Sequence, residues 1–247
     1  MKKFLLSAGK MLILTMVVLN SCKKEDAPTW EDMLTGGPTA KNGKTWVLSD
    51  KNYPAQDGAG DISPGMAIIK IFPDNVLTIN SLGGEYDNEF TFFSDGRYVI
   101  NPVNGIVLSG IIYAIMSQNL VPGTESTLGF CAANYTPPAK ATWKLNSTDM
   151  VVENAITDPT TTAIPPVRSN VTFTGVKWLS FSPSAFLGIH DYAGTAKVII
   201  KEIIKDRMHV ALLLCNYAMT FDPSGDGLQY ANSPTWFVQF TLVPKAK

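Results

Sequence analysis

Three carboxylates at two-residue spacing are the side chains of this sequence best suited to chemistry: Glu85, Asp87 and Glu89. In a β-strand, residues two apart point to the same face. All three carboxylates would then lie on one side of the strand, with Phe90 and Phe92 on the other. Same-face neighbours can approach the separation of about 5–5.5 Å that retaining glycosidases need between two carboxyl groups. The spacing therefore suits acid–base and nucleophilic work on a glycosidic bond.

The spacing resembles the E-x-D-x-E motif of family 16 glycoside hydrolases. That resemblance implies Glu85 as the nucleophile, Asp87 as its helper and Glu89 as the acid–base residue. The alternative is a solvated acidic entrance to a strand, because Gly83 and Gly84 just upstream favour a turn. Short motifs of this kind often arise by chance, so the sequence leaves both interpretations open.

Aromatic residues outside the strand patterns are the candidates for contacts with a carbohydrate ligand. A flat aromatic ring can cover the apolar face of a sugar while neighbouring polar groups bond its hydroxyls. Tyr192 lies beside Asp191, and Tyr230 lies between Gln229 and Asn232. These five residues form the predicted ligand-binding set. The tryptophans within strand patterns are expected in the core.

One segment carries oxygen ligands at alternating positions, since Asp222, Ser224 and Asp226 precede Gly227. This arrangement resembles the first half of a calcium-binding loop. Ser233 stands where the bidentate glutamate would be expected, so a plain Pro/Gly turn is the stronger interpretation. We therefore expect no cofactor, with bound calcium as the alternative.

Charge and composition argue against several classes of function. The 247 residues carry a formal net charge of −1, so no basic excess favours a nucleic-acid partner. With two histidines and no Cys-x-x-Cys pair, the sequence contains no recognisable set of zinc ligands. It also lacks a Gly-x-Ser-x-Gly motif and a phosphate-binding loop. The sequence leaves open whether Cys131 and Cys215 pair.

The N-terminal segment predicts export and lipidation. A basic start precedes the apolar run 11–19, which is shorter than the roughly 20 residues of a membrane span. The small residue before Cys22 completes a pattern that resembles the bacterial lipobox, in which the cysteine is lipidated. The charges of residues 23–26 resemble the surface-export signal of Bacteroidetes lipoproteins. We expect a signal peptide over 1–21, a tether over 22–42 and a lipid anchor in the outer membrane at the cell surface.

Two-residue alternation dominates the rest of the chain and predicts strands. Hairpins are predicted over 89–100, where Asp95 and Gly96 form the turn, and over 197–215. The segment 141–153 is a further candidate hairpin. Many short strands separated by Gly, Pro and Asn predict one all-β domain over 43–247. We expect a two-sheet jelly-roll-like sandwich, with a lipocalin-like barrel as the alternative.

Four segments carry a resemblance to a known family: 43–48, 86–92, 179–188 and 236–245. With the lipobox, they resemble the C-terminal β-sandwich module of Bacteroidetes cell-surface lipoproteins, some of which also carry PKD domains. Such proteins are similar to surface glycan-binding proteins of polysaccharide-utilisation systems. The resemblance implies a non-catalytic lipoprotein that captures a polysaccharide or oligosaccharide. A family 16-like β-glucanase and a structural or adhesion lipoprotein are the alternatives.

Overall fold

Short runs of alternating apolar residues form most of the secondary structure. The computed structural model describes residues 27–51, 68–71, 74–126, 129–156, 168–182, 184–191, 197–221 and 228–246. The strands are β1 (Lys44–Leu48), β2 (Ile68–Ile71), β3 (Glu89–Phe92), β4 (Arg97–Asn101), β5 (Ile106–Gly110), β6 (Phe130–Asn134), β7 (Ala141–Asn146), β8 (Met150–Ile156), β9 (Arg168–Phe173), β10 (Lys177–Phe181), β11 (Lys197–Ile203), β12 (Met208–Phe221) and β13 (Leu228–Pro244).

The helices are short: α1 (Trp30–Thr35), α2 (Val76–Ile79), α3 (Ile111–Met116) and a 3-10 helix (Gly83–Asp87). α1 and α3 have six residues each, so neither is stable without tertiary packing. Among the described residues, no helix has the length and apolar character needed to cross a membrane.

Eight strands close into an antiparallel barrel. They neighbour one another in the chain order β1, β3, β4, β7, β10, β11, β12 and β13, and β13 pairs back with β1. Trp46 opposite Pro244 and Leu48 opposite Leu242 complete the ring. The predicted two-sheet sandwich is therefore wrong and the barrel alternative is favoured. The alternation of apolar residues suits either fold, whereas pairing of the first and last barrel strands closes the sheet.

The local hairpins have mixed outcomes. The hairpin over 89–100 is confirmed, because β3 pairs with β4 and Gly96 takes the left-handed conformation at φ 84°. The hairpin over 197–215 is confirmed as the β11–β12 pair, with a bulge between Ile200 and Glu202. The candidate hairpin over 141–153 is wrong, since β7 pairs with β4 and β10 while β8 pairs with β9.

Large side chains pack inside the described part of the barrel. Trp46, Phe90 and Phe92 are fully buried, and Phe240 is 1% exposed. An eight-stranded barrel is just wide enough for its inward-facing side chains to fill it or for one small ligand. In the described part of this barrel the aromatic and aliphatic side chains form one continuous core. The described part of the interior therefore serves packing.

The two ends of the barrel are covered by different segments. α1 lies at the end where β1 begins, with Leu34 fully buried in the core. Residues 184–191, here called the plug segment, lie at the end where β1 finishes and bury Phe186 and Leu187. The hydroxyl of Tyr98 donates to the carbonyl oxygen of Phe186 at 2.7 Å. Buried polar contacts thus hold the plug segment against the barrel core.

A second layer covers part of the outside of the barrel. The β8–β9 pair packs against β11 and β12 through a separate apolar cluster. Ile199 and Ala211 supply the barrel side of that cluster, and Met150 and Phe173 supply the outer side. The continuous run of buried residues in β11 follows from this arrangement, because both of its faces are covered.

Candidate functional site

The three predicted catalytic carboxylates do not share a strand face. Glu85 and Asp87 lie in the 3-10 helix, and Glu89 is the first residue of β3. A 3-10 helix has about three residues per turn, so side chains two apart point in different directions. Glu85 is buried whereas Asp87 is exposed. The same-face geometry that motivated the glycosidase hypothesis is therefore not formed by these residues.

Glu85 has an identifiable structural environment. Asn88 donates from Nδ2 to the Glu85 carboxylate at 3.3 Å, and its Oδ1 accepts from the backbone N–H of Val103 at 2.8 Å. Burial raises the pKa of Glu85, and the hydrogen bond from Asn88 opposes that shift. Glu89 instead forms an ion pair with Lys245. Both carboxylates therefore have partners that hold the chain in place.

The predicted ligand-binding set is placed only in part. Asp191 is 5% exposed and packs so near Gly110 that an added Cβ there would lie 3.3 Å from its carboxyl carbon. For Gln229, Tyr230 and Asn232 the structure describes only their backbone pairing within β12–β13.

Several predicted positions fall outside the described residues. Tyr192, Cys22 and the proposed calcium ligands Asp222, Ser224 and Asp226 are among them. Within the described part of the chain, no group of three or more His, Cys, Asp or Glu side chains could hold a metal ion. The calcium alternative thus stays a prediction.

A surface cleft of about 310 Å³ lies where α1 meets the β3–β4 turn and β7. We call it the α1 cleft. Its volume is at the small end of the roughly 300–1,000 Å³ of most ligand pockets. The lining includes Glu31, Asp32, Ser94, Trp143 and Lys144. The cleft therefore combines an aromatic side chain with carboxylate, hydroxyl and ammonium groups.

The position of α1 follows from its caps and its packing. Thr29 and Asp32 form a reciprocal capping box, and Gly36 ends the helix in the left-handed conformation. The helix carbonyl of Leu34 accepts a hydrogen bond from Nε1 of Trp46 at 3.0 Å. A buried indole N–H needs such a partner, so this contact fixes α1 against the barrel.

Trp143 forms a fixed part of the cleft wall. Its Nε1 donates to the carbonyl oxygen of Phe93 at 3.0 Å. Its ring meets Phe92 edge-to-face, with centroids 5.4 Å apart. Only 9% of Trp143 is exposed, which agrees with the predicted core position of the strand tryptophans. Just a small part of the residue is open to a ligand, and that part is held rigidly.

The charged groups of the cleft are available to a ligand. Neither the Glu31 carboxylate nor the Lys144 ammonium forms a hydrogen bond or ion pair within the described residues. Asp32 uses Oδ2 to accept hydrogen bonds from Thr29, and Oδ1 takes no part in those bonds. The side-chain hydrogen bond from Thr29 lowers the pKa of Asp32, so this carboxylate stays ionised at neutral pH.

Sequence reasoning missed the acidic residues of this cleft because they fall within the predicted tether. The spacing of Thr29 and Asp32 was a detectable signal, since a capping box marks the start of a helix. What that helix packs against is a tertiary property, so the cap alone could not have revealed the cleft.

Comparison with known proteins adds no family to these observations. The chain matches no protein-family model, and a search of curated proteins found no match either. The resemblance to Bacteroidetes surface lipoproteins is therefore still a prediction, carried by the sequence motifs alone.

Proposed function

We propose that this protein is a surface-anchored lipoprotein that binds a polysaccharide or oligosaccharide and catalyses no reaction. The observation that carries the proposal is the α1 cleft on the surface of the barrel, which combines Trp143 with charged side chains. The cleft offers Trp143 together with polar side chains that a hydroxyl-rich ligand can use.

The chemistry of the cleft suits sugar hydroxyls. The carboxylates of Glu31 and Asp32 accept hydrogen bonds, and the ammonium of Lys144 donates them. Hydrogen bonds to charged groups are about twice as strong as those between neutral groups. Ser94 adds a hydroxyl that donates and accepts. Such a set can hold several hydroxyls of one short glycan segment.

The arrangement of the carboxylates favours binding over hydrolysis. A glycosidase places two carboxyl groups on either side of the scissile bond. Glu31 and Asp32 are consecutive in α1, and neighbouring helix residues do not face each other. A general acid also needs a raised pKa, whereas the pKa of Asp32 is lowered.

Binding is tested by affinity electrophoresis of the full chain through gels containing single plant and host polysaccharides. Glu31→Gln and Lys144→Met should each weaken retention on the polysaccharide that retains the wild type. Glu153→Gln and Lys140→Met are matched controls, because both residues are exposed and neither lines the cleft. Absence of retention by every polysaccharide would contradict the proposal and leave the structural or adhesion alternative.

The anchor is tested separately. An alkyne-tagged fatty acid fed to a bacterial host should label the wild type, and Cys22→Ser should lose the label. Protease treatment of intact cells should remove the labelled protein from the surface. An unlabelled wild type, or a label retained in Cys22→Ser, would contradict lipidation at this residue.

A further inference from the structure

The lining of the α1 cleft carries more negative than positive charge. Its lining carries two carboxylates, Glu31 and Asp32, and one ammonium, Lys144. Asp32 is held ionised by its hydrogen bonds with Thr29. The lining therefore has a net charge of −1 at neutral pH.

Arg97 lies beside the cleft lining in sequence and already has a carboxylate partner. Arg97 follows the turn residues Ser94 and Gly96, which belong to the cleft lining. Its Nε forms an ion pair with Oδ2 of Asp95 at 2.7 Å, and its guanidinium lies 4.2 Å from the ring centroid of Phe93. Arg97 is thus paired with Asp95, and Lys144 is the one cation among the described residues that line the cleft to offset its two carboxylates.

From this balance we infer that the α1 cleft takes uncharged, hydroxyl-rich glycans and rejects those bearing carboxylate or sulfate groups. The inference rests on the proposed function, because it specifies the ligand of the same cleft. A sugar hydroxyl donates to Glu31 or Asp32, whereas a uronate or sulfate at the same place adds a repulsive charge.

Glu31 is the residue that tests this selectivity. Its carboxylate has no described partner, so Glu31→Gln removes one negative charge and keeps an oxygen that accepts hydrogen bonds. Asp32 is unsuitable for substitution, because it caps α1. Exposed charge pairs contribute about 0.2–1 kcal/mol, so the variant should lower the ratio of neutral to anionic affinity by a factor of about 1.4 to 5.

The experiment uses the full chain and pairs of polysaccharides that share a backbone. Dextran is paired with dextran sulfate, hydroxyethyl cellulose with carboxymethyl cellulose, and methyl-esterified pectin with de-esterified pectin. The neutral member of a pair should bind more tightly, and Glu31→Lys should reverse or abolish that preference. Glu153→Gln, which changes charge at an exposed residue outside the cleft, should leave the ratio unchanged.

Salt gives an independent readout. The Debye length falls from about 10 Å at 0.1 M to about 3 Å at 1 M ionic strength. High salt should therefore relieve rejection of the anionic member and leave binding of the neutral member nearly constant. Tighter binding of anionic members, or a ratio unaffected by Glu31→Gln, overturns the charge selectivity while glycan binding stands. No binding to any member of the panel overturns both.

Discussion

At the scale of single residues, burial shifts the pKa of the His190 and Glu85 side chains. His190 stacks on Phe186 with ring centroids 4.6 Å apart, and the rings of Tyr113 and Tyr135 meet it edge-on. Desolvation lowers the pKa of His190 to about 4, from an ordinary value of 6.5. Desolvation raises the pKa of Glu85. The two groups therefore couple stability to pH with opposite signs.

The His190 imidazole should make the protein less stable in mild acid. Between pH 6.5 and about 4 the unfolded chain binds a proton at this site that the folded chain does not. The contribution of His190 to the free energy of unfolding should thus fall by up to about 3 kcal/mol as the pH drops through this window, and this contribution is constant above it. Urea unfolding at a series of pH values measures the fall. His190→Phe keeps a ring against Phe186 and should reduce the slope of stability against pH in this window; an unchanged slope would contradict this role.

Glu85 should make the protein less stable as the pH rises. Its folded-state pKa lies above the ordinary value of 4.5, so rising pH forces a charge onto a buried carboxyl. Glu85→Gln avoids that charge and keeps an oxygen for the hydrogen bond from Asn88. The variant should melt at a higher temperature than wild type at pH 7, and the difference should shrink towards pH 4. Equal melting temperatures at pH 7, measured by calorimetry, would show that burial does not penalise this carboxylate.

At the scale of elements, the plug segment is held in place by a few specific contacts. The hydroxyl of Tyr135 donates to the carbonyl oxygen of Ser184 at 2.7 Å, in addition to the bond from Tyr98. The backbone N–H of Gly110 donates to the carbonyl oxygen of His190 at 3.0 Å. The conformation of the plug segment also depends on Gly188, where φ is +77° and an added side chain would clash with Phe240.

Gly188→Ala should strongly destabilise the fold. The added Cβ would lie 2.5 Å from the ring of Phe240, which is itself 1% exposed. Left-handed strain and overpacking together should lower the free energy of unfolding by about 3 kcal/mol or more. Gly175→Ala is the matched control: φ is +69°, nothing lies within 4 Å, and the expected loss is about 1 kcal/mol. Chemical denaturation measures both, and similar losses would exclude the steric explanation.

At the scale of the whole molecule, one core joins the barrel to the segments that cover its ends. Leu34 of α1 belongs to the same cluster as Trp46 of β1 and Phe186 of the plug segment. The structured part of the chain thus begins before residue 43, inside the segment expected to be a tether. The same helix forms one wall of the α1 cleft.

Leu34→Ala should destabilise the whole barrel, because Leu34 belongs to the barrel core. The side chain is fully buried, so its truncation should lower the free energy of unfolding by about 2–5 kcal/mol. Thr39→Ala, at an exposed position in the same segment, should change stability little. Thermal unfolding followed by circular dichroism compares the two variants. A negligible effect of Leu34→Ala would mean that α1 does not contribute to the folded core.

Local patterns made the two confirmed hairpins predictable. In each, neighbouring strands are joined by a short turn, and the turn at Asp95 and Gly96 has its own composition signal. The pairing of β8 and β9, which lie between barrel strands in the sequence, was harder to predict. β8 follows β7 closely and so looks like its hairpin partner, but it pairs with β9. Contacts distant in sequence leave no such local signal.

In the candidate site, too, local patterns were predictable and contacts between distant segments were not. The spacing of Glu85, Asp87 and Glu89 predicted a shared face only if all three lay in one strand, and the 3-10 helix removes that condition. Trp143 was expected in the core, and it is nearly buried there. Its neighbour across the cleft, Glu31, could not be inferred, because only tertiary packing brings α1 to β7.

The sequence by itself determined the β-rich class and two hairpins, since alternation and turn residues act over a few neighbouring positions. Closure of the barrel was decided by pairing between Trp46 and Pro244, which are far apart in the sequence. The α1 cleft was decided in the same way, because its walls come from a helix, a turn and a strand that are distant in sequence. Alternation of apolar residues indicates which face of a strand is buried, and only the packed structure shows what that face is buried against.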